Sequence, residues 1–515
     1  RPAEGAVSKA PSQYILTSAD TFFNNPLKTE GLVVSTPSDV AKLSLSANQL
    51  ALNASVIANT VANGTGLEVD ISSNNIRVVN SQDNSNDGSL QLTVASLNAL
   101  NAESVLLGGT RSLVDGVSNV TTVAENVTIE NDSSQILRTT EFIATANQQV
   151  VVQENASIDT GVASIKPGDK VLKTSGEGAL LALSSKNNIT YSRAGGSSTA
   201  TQGELIVESG STLQAGNSAV LDATKNVNLD GAVTLSDGST VTLGANRILI
   251  GDVPQNIAGL NVNAASLAAL GQLKSLALNS YSNIDTFGAV NFGNSGLDLT
   301  LNGAGIVGHL SASEIGTPSD NNASVITANT LTLKNNQDAV LINVADNSGR
   351  ALNINANTVR FEGEAAPVTT NGVLLATDQT TVQGYTQLNI NADEVRTANI
   401  GQTNLNVAQA NINAGRITSE TGGKFTIKAS DALNTTQNTT AALTPNTQFG
   451  GQLFIEANNM NVASKIEARS GQVHLKSNTD LVLADGANIS ANSHSLDFYT
   501  TTQRVLVWVA IWRWM

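Results

Sequence analysis

Along this chain aliphatic residues recur at every second position in short runs, and many runs close on Ala. Leu43, Leu45 and Ala47 form one run. Leu352, Ile354 and Ala356, then Leu388, Ile390 and Ala392, form two more. Phe425, Ile427 and Ala429, then Leu453, Ile455 and Ala457, continue the pattern. Side chains on a strand alternate faces, so each run predicts a strand with one apolar side and one side of Ser, Asn, Thr or Glu. A further aliphatic follows seven residues after the first: Leu43 to Leu50, Val69 to Ile76, Val241 to Ile248, Leu352 to Val359, Leu388 to Val395, Leu453 to Met460. An odd offset reverses the alternation of a straight strand. The chain must therefore turn in between, where Ala-Asn, Ser-Asn or Ala-Asp lies. Asn and Asp tolerate the left-handed backbone that such a bend requires.

A direct repeat turns strands and bends into an architecture. Leu213, Gly216, Leu221 and Ala223 return as Leu235, Gly238, Leu243 and Ala245, an offset of 22. A period near 20 fits one coil of a solenoid, whose apolar face is covered only when coils stack. The expected fold is all-β: a right-handed parallel β-helix over 41–496 with short loop and helical insertions. Stacking at about 4.8 Å would give on the order of 20 coils and a rod about 100 Å long. A looser echo runs from Ala95–Leu100 to Ala265–Leu270, each followed by an aliphatic cluster at Leu106 and Leu276.

Some segments break the pattern. Residues 1–40 are irregular, with Pro26 and Pro37 among turn formers. Ser81–Gly88, Arg193–Thr201 and Asn434–Gln448 predict exposed loops. Leu267, Leu270, Leu273 and Leu276 recur at threes, which suits a short helix on the rod. Residues 497–515 form an atypical tail whose end, VLVWVAIWRWM, carries all three tryptophans: Trp508, Trp512 and Trp514. The run is too short for a membrane span, which needs about 20 apolar residues. A shifted reading frame or truncated gene end explains it more simply than a membrane-surface anchor.

Composition narrows the function. Charged residues are 13% and aromatics 3% of 515 residues, while hydrophobics reach 40%. Ordinary domains carry about 25% charge. A core of small aliphatics under an uncharged polar surface suits a repetitive β structure. The same inward rows argue against disorder. Twenty-seven Lys and Arg stand against 42 Asp and Glu, a net charge of −15. Such a surface disfavours nucleic acid. There is no cysteine, which removes disulfides, Cys-zinc sites and thiol chemistry.

Several phrases resemble a family. LNALNAESVLLGGTRS (97–112), GELIVESGSTLQAG (203–216), LDATKNVNLDG (221–231), NSYSNID (279–285) and LDLTL (297–301) are similar, in that order, to segments of filamentous haemagglutinin family exoproteins. The resemblance covers roughly 45–495. It implies two-partner secretion through an outer-membrane barrel transporter, folding outside as a right-handed β-helix, and adhesion at the surface of a Gram-negative cell. Neither the family's secretion domain nor a toxin domain is recognisable here.

Parallel β-helices also host carbohydrate-cleaving enzymes, so acidic clusters need weighing. Asp222, Asp230 and Asp237 recur in neighbouring repeats and suggest paired carboxylates. Asp230-Gly and Asp237-Gly are more simply turns. His309, His474 and His494 are far apart, with no close pair for a metal. Arg247, Arg360, Arg396 and Arg416 lie near bends, where they form either a cation ladder for an anionic glycan or, more simply, a solvated rim. Sequons at Asn53, Asn63, Asn119, Asn126, Asn155, Asn188 and Asn434 are no more than an Asn- and Ser-rich chain produces by chance. No catalytic, metal or cofactor-binding residue is assigned. The expectation is a non-catalytic stalk or adhesive region of a secreted surface protein. Its receptor would be a glycan or protein on host or neighbouring cells, and the chain itself would not span the membrane. The alternatives are a carbohydrate-active β-helix enzyme and an autotransporter passenger domain.

Overall fold

The structure, a computed structural model, describes residues 42–50, 56, 64–83, 87–314, 322–342, 347–365, 369–370, 373–374 and 379–493. The expected lead-in at 1–40, the tail at 497–515, His494, Asn53 and Asn63 lie outside the described residues. The described chain is all-β with two short helices. A 19-stranded sheet dominates, beside a nine-stranded sheet and smaller ones. Pairing is parallel except in four strand pairs.

The repeat is built from strands that find their neighbours one period away. Glu204–Val207, Thr212–Ala215 and Ser218–Ala223 follow one another, each in a different sheet. Leu205 pairs with Val227, Leu213 with Val233 and Leu221 with Leu243, which are 22, 20 and 22 residues on. Their inward side chains join one core cluster running from Leu67 to Ile466. The offset of 22 therefore holds at Leu221 and Leu243, but Leu213 does not face Leu235. Ala215 does. Extra residues in the turn at Asp237 and Gly238, where Gly238 adopts φ +82°, restore the longer offset.

The seven-residue spacing has two structural outcomes. At Val69 and Ile76, Val241 and Ile248, and Leu453 and Met460, the chain passes into another sheet. At Leu352 and Val359, and at Leu388 and Val395, it continues as single strands, Ala351–Glu362 and Gln387–Ala398. There Asn357 and Asp393 are skipped by the ladder while their neighbours pair. One unpaired residue is enough to switch which side chains face inward.

The largest departure from a simple stack is an outer sheet. Gly109–Val114, Val117–Thr122, Gly168–Ser175 and Asn187–Ala194 form four strands of their own. Val120, Leu172, Ile189 and Tyr191 from this sheet meet Leu106, Ile143, Leu180, Ala182 and Val220 in a second core. The long-sheet strands beneath are buried on both faces, so Ala179–Ser184 and Ser218–Ala223 are buried throughout. Ala179–Ser184 runs antiparallel to both neighbours, against the parallel expectation.

Other expectations shift locally. The echo of Ala95–Leu100 in Ala265–Leu270 marks helices: α1, Val94–Ala99, and α2, Ala264–Ala269. Thr93 and Asn263 cap them by accepting from the backbone N–H of Ser96 and Ser266. The Leu periodicity overstates α2, because Leu276 and Leu278 belong to the strand Ser275–Ser280. Arg193 is not in an exposed loop but buried in a strand. Asn434 likewise lies in the strand Ala432–Gln437, ahead of the loop. Among the described residues no helix is long and apolar enough to cross a membrane.

Candidate functional site

The three aspartates of the sequence do not form a site. Asp222 lies in Ser218–Ala223 and is fully buried, whereas Asp230 and Asp237 are exposed in separate turns. Asp222 Oδ2 accepts from Tyr191 Oη at 2.7 Å and from Arg193 Nε at 2.8 Å. Asp222 Oδ1 accepts from Tyr281 Oη. Burial first, then Asp222 itself, raises both tyrosines well above the usual phenol range, so they serve as donors. A Cβ on Gly196 would lie 2.2 Å from the Tyr281 ring, so only glycine lets the chain pass over this cluster. The arrangement fastens the outer sheet to the long one.

A second cluster joins residues that no sequence spacing connected. Glu68, Asp70, Glu103 and Glu141 meet Lys42, Arg111, Lys170 and Lys186 where the outer sheet overlies the long sheet. Asp70, fully buried, accepts from Arg111 Nε at 2.6 Å and from the Arg111 backbone N–H at 2.8 Å. Arg111 Nη1 donates to Ser104 Oγ at 2.6 Å, and Ser104 Oγ donates to Glu141 Oε1 at 2.8 Å. Lys170 also donates to Glu141 Oε1, and Asn187 Nδ2 donates to Oε2 at 3.0 Å. A cleft of about 400 Å³ opens beside Glu68, Arg111 and Lys170.

This cluster is electrically closed. Burial would raise the Glu141 carboxyl, but Lys170 and Arg111 beside it, with hydrogen bonds from Lys170 and Asn187, hold it below the usual range. Glycoside hydrolysis needs one carboxyl kept protonated as an acid while another is ionised. Glu141 is shifted the opposite way for that acid.

The arginines do not form a bare cation ladder. Arg360 and Arg396 are register neighbours, but each meets glutamate. Arg360 Nε and Nη2 hold the two oxygens of Glu420 at 2.7 and 3.0 Å, a bidentate pair. Arg396 Nε donates to Glu394 Oε1 at 2.6 Å. Arg416 Nε donates to Glu394 Oε2 at 2.7 Å, and its Nη1 reaches the Thr444 carbonyl at 3.1 Å. Arg416 is buried rather than on a solvated rim. Arg247 sits elsewhere, bonded to buried Asp285.

His309 is buried, with Nε2 2.6 Å from Asp285 Oδ1 and its ring stacked 4.8 Å from Phe287. His474 lies 5.6 Å from the Phe454 ring, in a different strand pair. Among the described residues no three His, Cys, Asp or Glu gather as a metal site. Of the sequon residues, Asn119, Asn126, Asn188 and Asn434 lie in strands, and Asn155 is an exposed turn residue at φ +65°.

The remaining feature is uncharged. Asn353, Asn389, Asn411, Asn434 and Asn461 pair in one column across five strands. Asn389 donates to Asn353 at 2.8 Å, Asn411 to Asn389 at 2.9 Å and Asn434 to Asn411 at 3.0 Å. The sequence showed the asparagines between the aliphatics but not that they would align.

Compared with known protein families, with curated proteins and with solved structures, the chain matches none.

Proposed function

We propose that this chain is a stalk or adhesive region of a secreted bacterial surface protein of the filamentous haemagglutinin type. It acts by extension and repeated weak contact rather than by catalysis. In this reading the parallel sheets are the walls of a right-handed β-helix. The observation that supports it most is the stacking of short parallel strands, in register, around one core from Leu67 to Ile466. Connections between parallel strands of one sheet are right-handed in about 98% of cases, which gives the coil its hand. The paired surface charges suit a rod that must stay soluble without a reactive cleft. Export would use an outer-membrane transporter of the two-partner secretion type. The receptor would be a glycan or protein on host or neighbouring bacterial cells. The test is attachment: beads carrying the full chain should adhere to such cells above beads carrying an unrelated β protein. Equal retention would overturn the reading.

One observation favours a carbohydrate-cleaving enzyme instead: a cluster of four carboxylates and four cations reaches a cleft through Glu68, Lys42, Arg111 and Lys170. That reading predicts release of reducing ends from a polysaccharide, abolished in Glu68→Gln and Glu141→Gln. In that reading the lowered Glu141 would be the ionised partner rather than the acid.

A further inference from the structure

The outward faces of the strands between 351 and 463 carry a regular array of amides. Beside the column of Asn353, Asn389, Asn411, Asn434 and Asn461 runs a second, in which Asn355, Asn391, Asn413 and Thr436 pair in register. Asn391 donates to Asn355 at 3.1 Å, and Thr436 Oγ1 donates to Asn413 Oδ1 at 3.1 Å. A third column supplies Gln387 and Gln409, whose amides donate sideways to Asn389 and Asn411 at 2.7 and 3.2 Å. All these residues are half-buried or exposed. None is ionisable and none is a large apolar residue. The other half of the same strands differs sharply, carrying Arg360, Glu362, Glu394, Arg396 and Arg416 in mutual pairs.

A side-chain amide offers two N–H donors and a carbonyl with two lone pairs. The bond along a column uses one donor and one lone pair at each inner rung. At Asn389 and Asn411 the sideways glutamine amides take the second lone pair and leave one donor. Asn391 and Asn413 each keep one donor and one acceptor for something outside the sheet, at rungs about 4.8 Å apart. Each class of polymer makes a different demand on such a surface. Nucleic acids and acidic glycans need cations, and the array has none. A protein partner needs an apolar or aromatic anchor, and the array has none. A neutral polysaccharide needs neither. Its hydroxyls donate and accept, and in extended form its sugars repeat at nearly the spacing of strands.

We propose that this amide array binds neutral, extended, β-linked polysaccharide, one sugar to roughly one rung, with many weak hydrogen bonds acting together. The proposal deepens the adhesive reading and rests on it for its biological setting, but the binding itself is testable alone.

Microcrystalline cellulose and chitin particles are the probes, and the full chain is the protein. At least one particle should retain the chain equally at low and high salt, since no ion pair is involved. Asn391→Glu and Asn391→Lys should both reduce retention at least about tenfold, because either charge must be desolvated against a neutral chain. Asn391 is exposed, so circular dichroism should give both variants unchanged strand content. Asn413→Gln, which keeps the amide, should retain most binding. Failure of both particles to hold the chain would overturn the proposal. So would loss of binding at high salt, or opposite responses to the two charges. If the wild-type chain attaches to cells and Asn391→Glu attaches equally, the array fails while the adhesive reading stands. If the wild type binds particles but no cells, the array stands and that reading fails.

Discussion

Asp222 shows what a charged residue does in a chain with few charges. It carries Arg193, Tyr191 and Tyr281 in a space almost closed to solvent. Removing one member of a buried pair strands the other and costs about 3–5 kcal/mol. Asp222→Ala should therefore destabilise the chain by about that much in a denaturant titration, far more than Asp230→Ala, which alters an exposed turn. Glu141 makes a pH prediction. Its folded carboxyl titrates below the usual range, so the stability it contributes is present above the unfolded value. That stability is lost as pH falls through the lower folded value. Melting temperature should drop in acid, and Glu141→Gln should flatten part of that drop. An unchanged acid limb in the variant would contradict the assigned charge pairing. These clusters were invisible in the sequence because their members lie far apart along it. Arg111 and Asp70, for example, are 41 residues apart. The only hint was indirect: unbroken apolar runs such as Leu180–Leu183 show that the long sheet is covered on both sides there.

Alternation identified strands well wherever one face stays wet, as at Leu388, Ile390 and Ala392. Where both faces are buried it vanished, and the antiparallel strand Ala179–Ser184 and the outer sheet were missed. The Asn or Asp that usually follows these runs predicted a change of direction. It did not predict whether the chain would change sheets or merely skip one rung, because that depends on the strands paired on either side. The echo of VASLNA in AASLAA carried no element of its own, because its aliphatic spacing suits helix or strand, and the caps Thr93 and Asn263 decide for helix. Each strand contacts chiefly the strands stacked on either side, so damage should stay local. Ile390→Ala removes a buried side chain at a cost of about 2–5 kcal/mol. Hydrogen exchange should quicken in Ala351–Glu362, Gln387–Ala398 and Gln409–Ser419 while Glu141–Ala146 is unchanged. Uniform acceleration along the chain would show a single cooperative unit instead.

Across the whole molecule, a small-residue core and strands paired one period apart lie beneath a surface of paired charges and uncharged amides. Small inward residues let each layer repeat the packing of the one below. The charges at the outer sheet and along Arg360, Arg396 and Arg416 are spent on one another. The amide array between 351 and 463 is left uncharged beside them. The proposed adhesive role requires an extended form, and small-angle X-ray scattering of the full chain measures that most directly. A stack about 100 Å long with strand-spaced layers gives a radius of gyration of about 30 Å and a rod-like distance distribution with a long tail. A compact chain of this length would give about 24 Å and a symmetric distribution. The elongated result is expected for stacked strands, and the compact one would overturn the stacking.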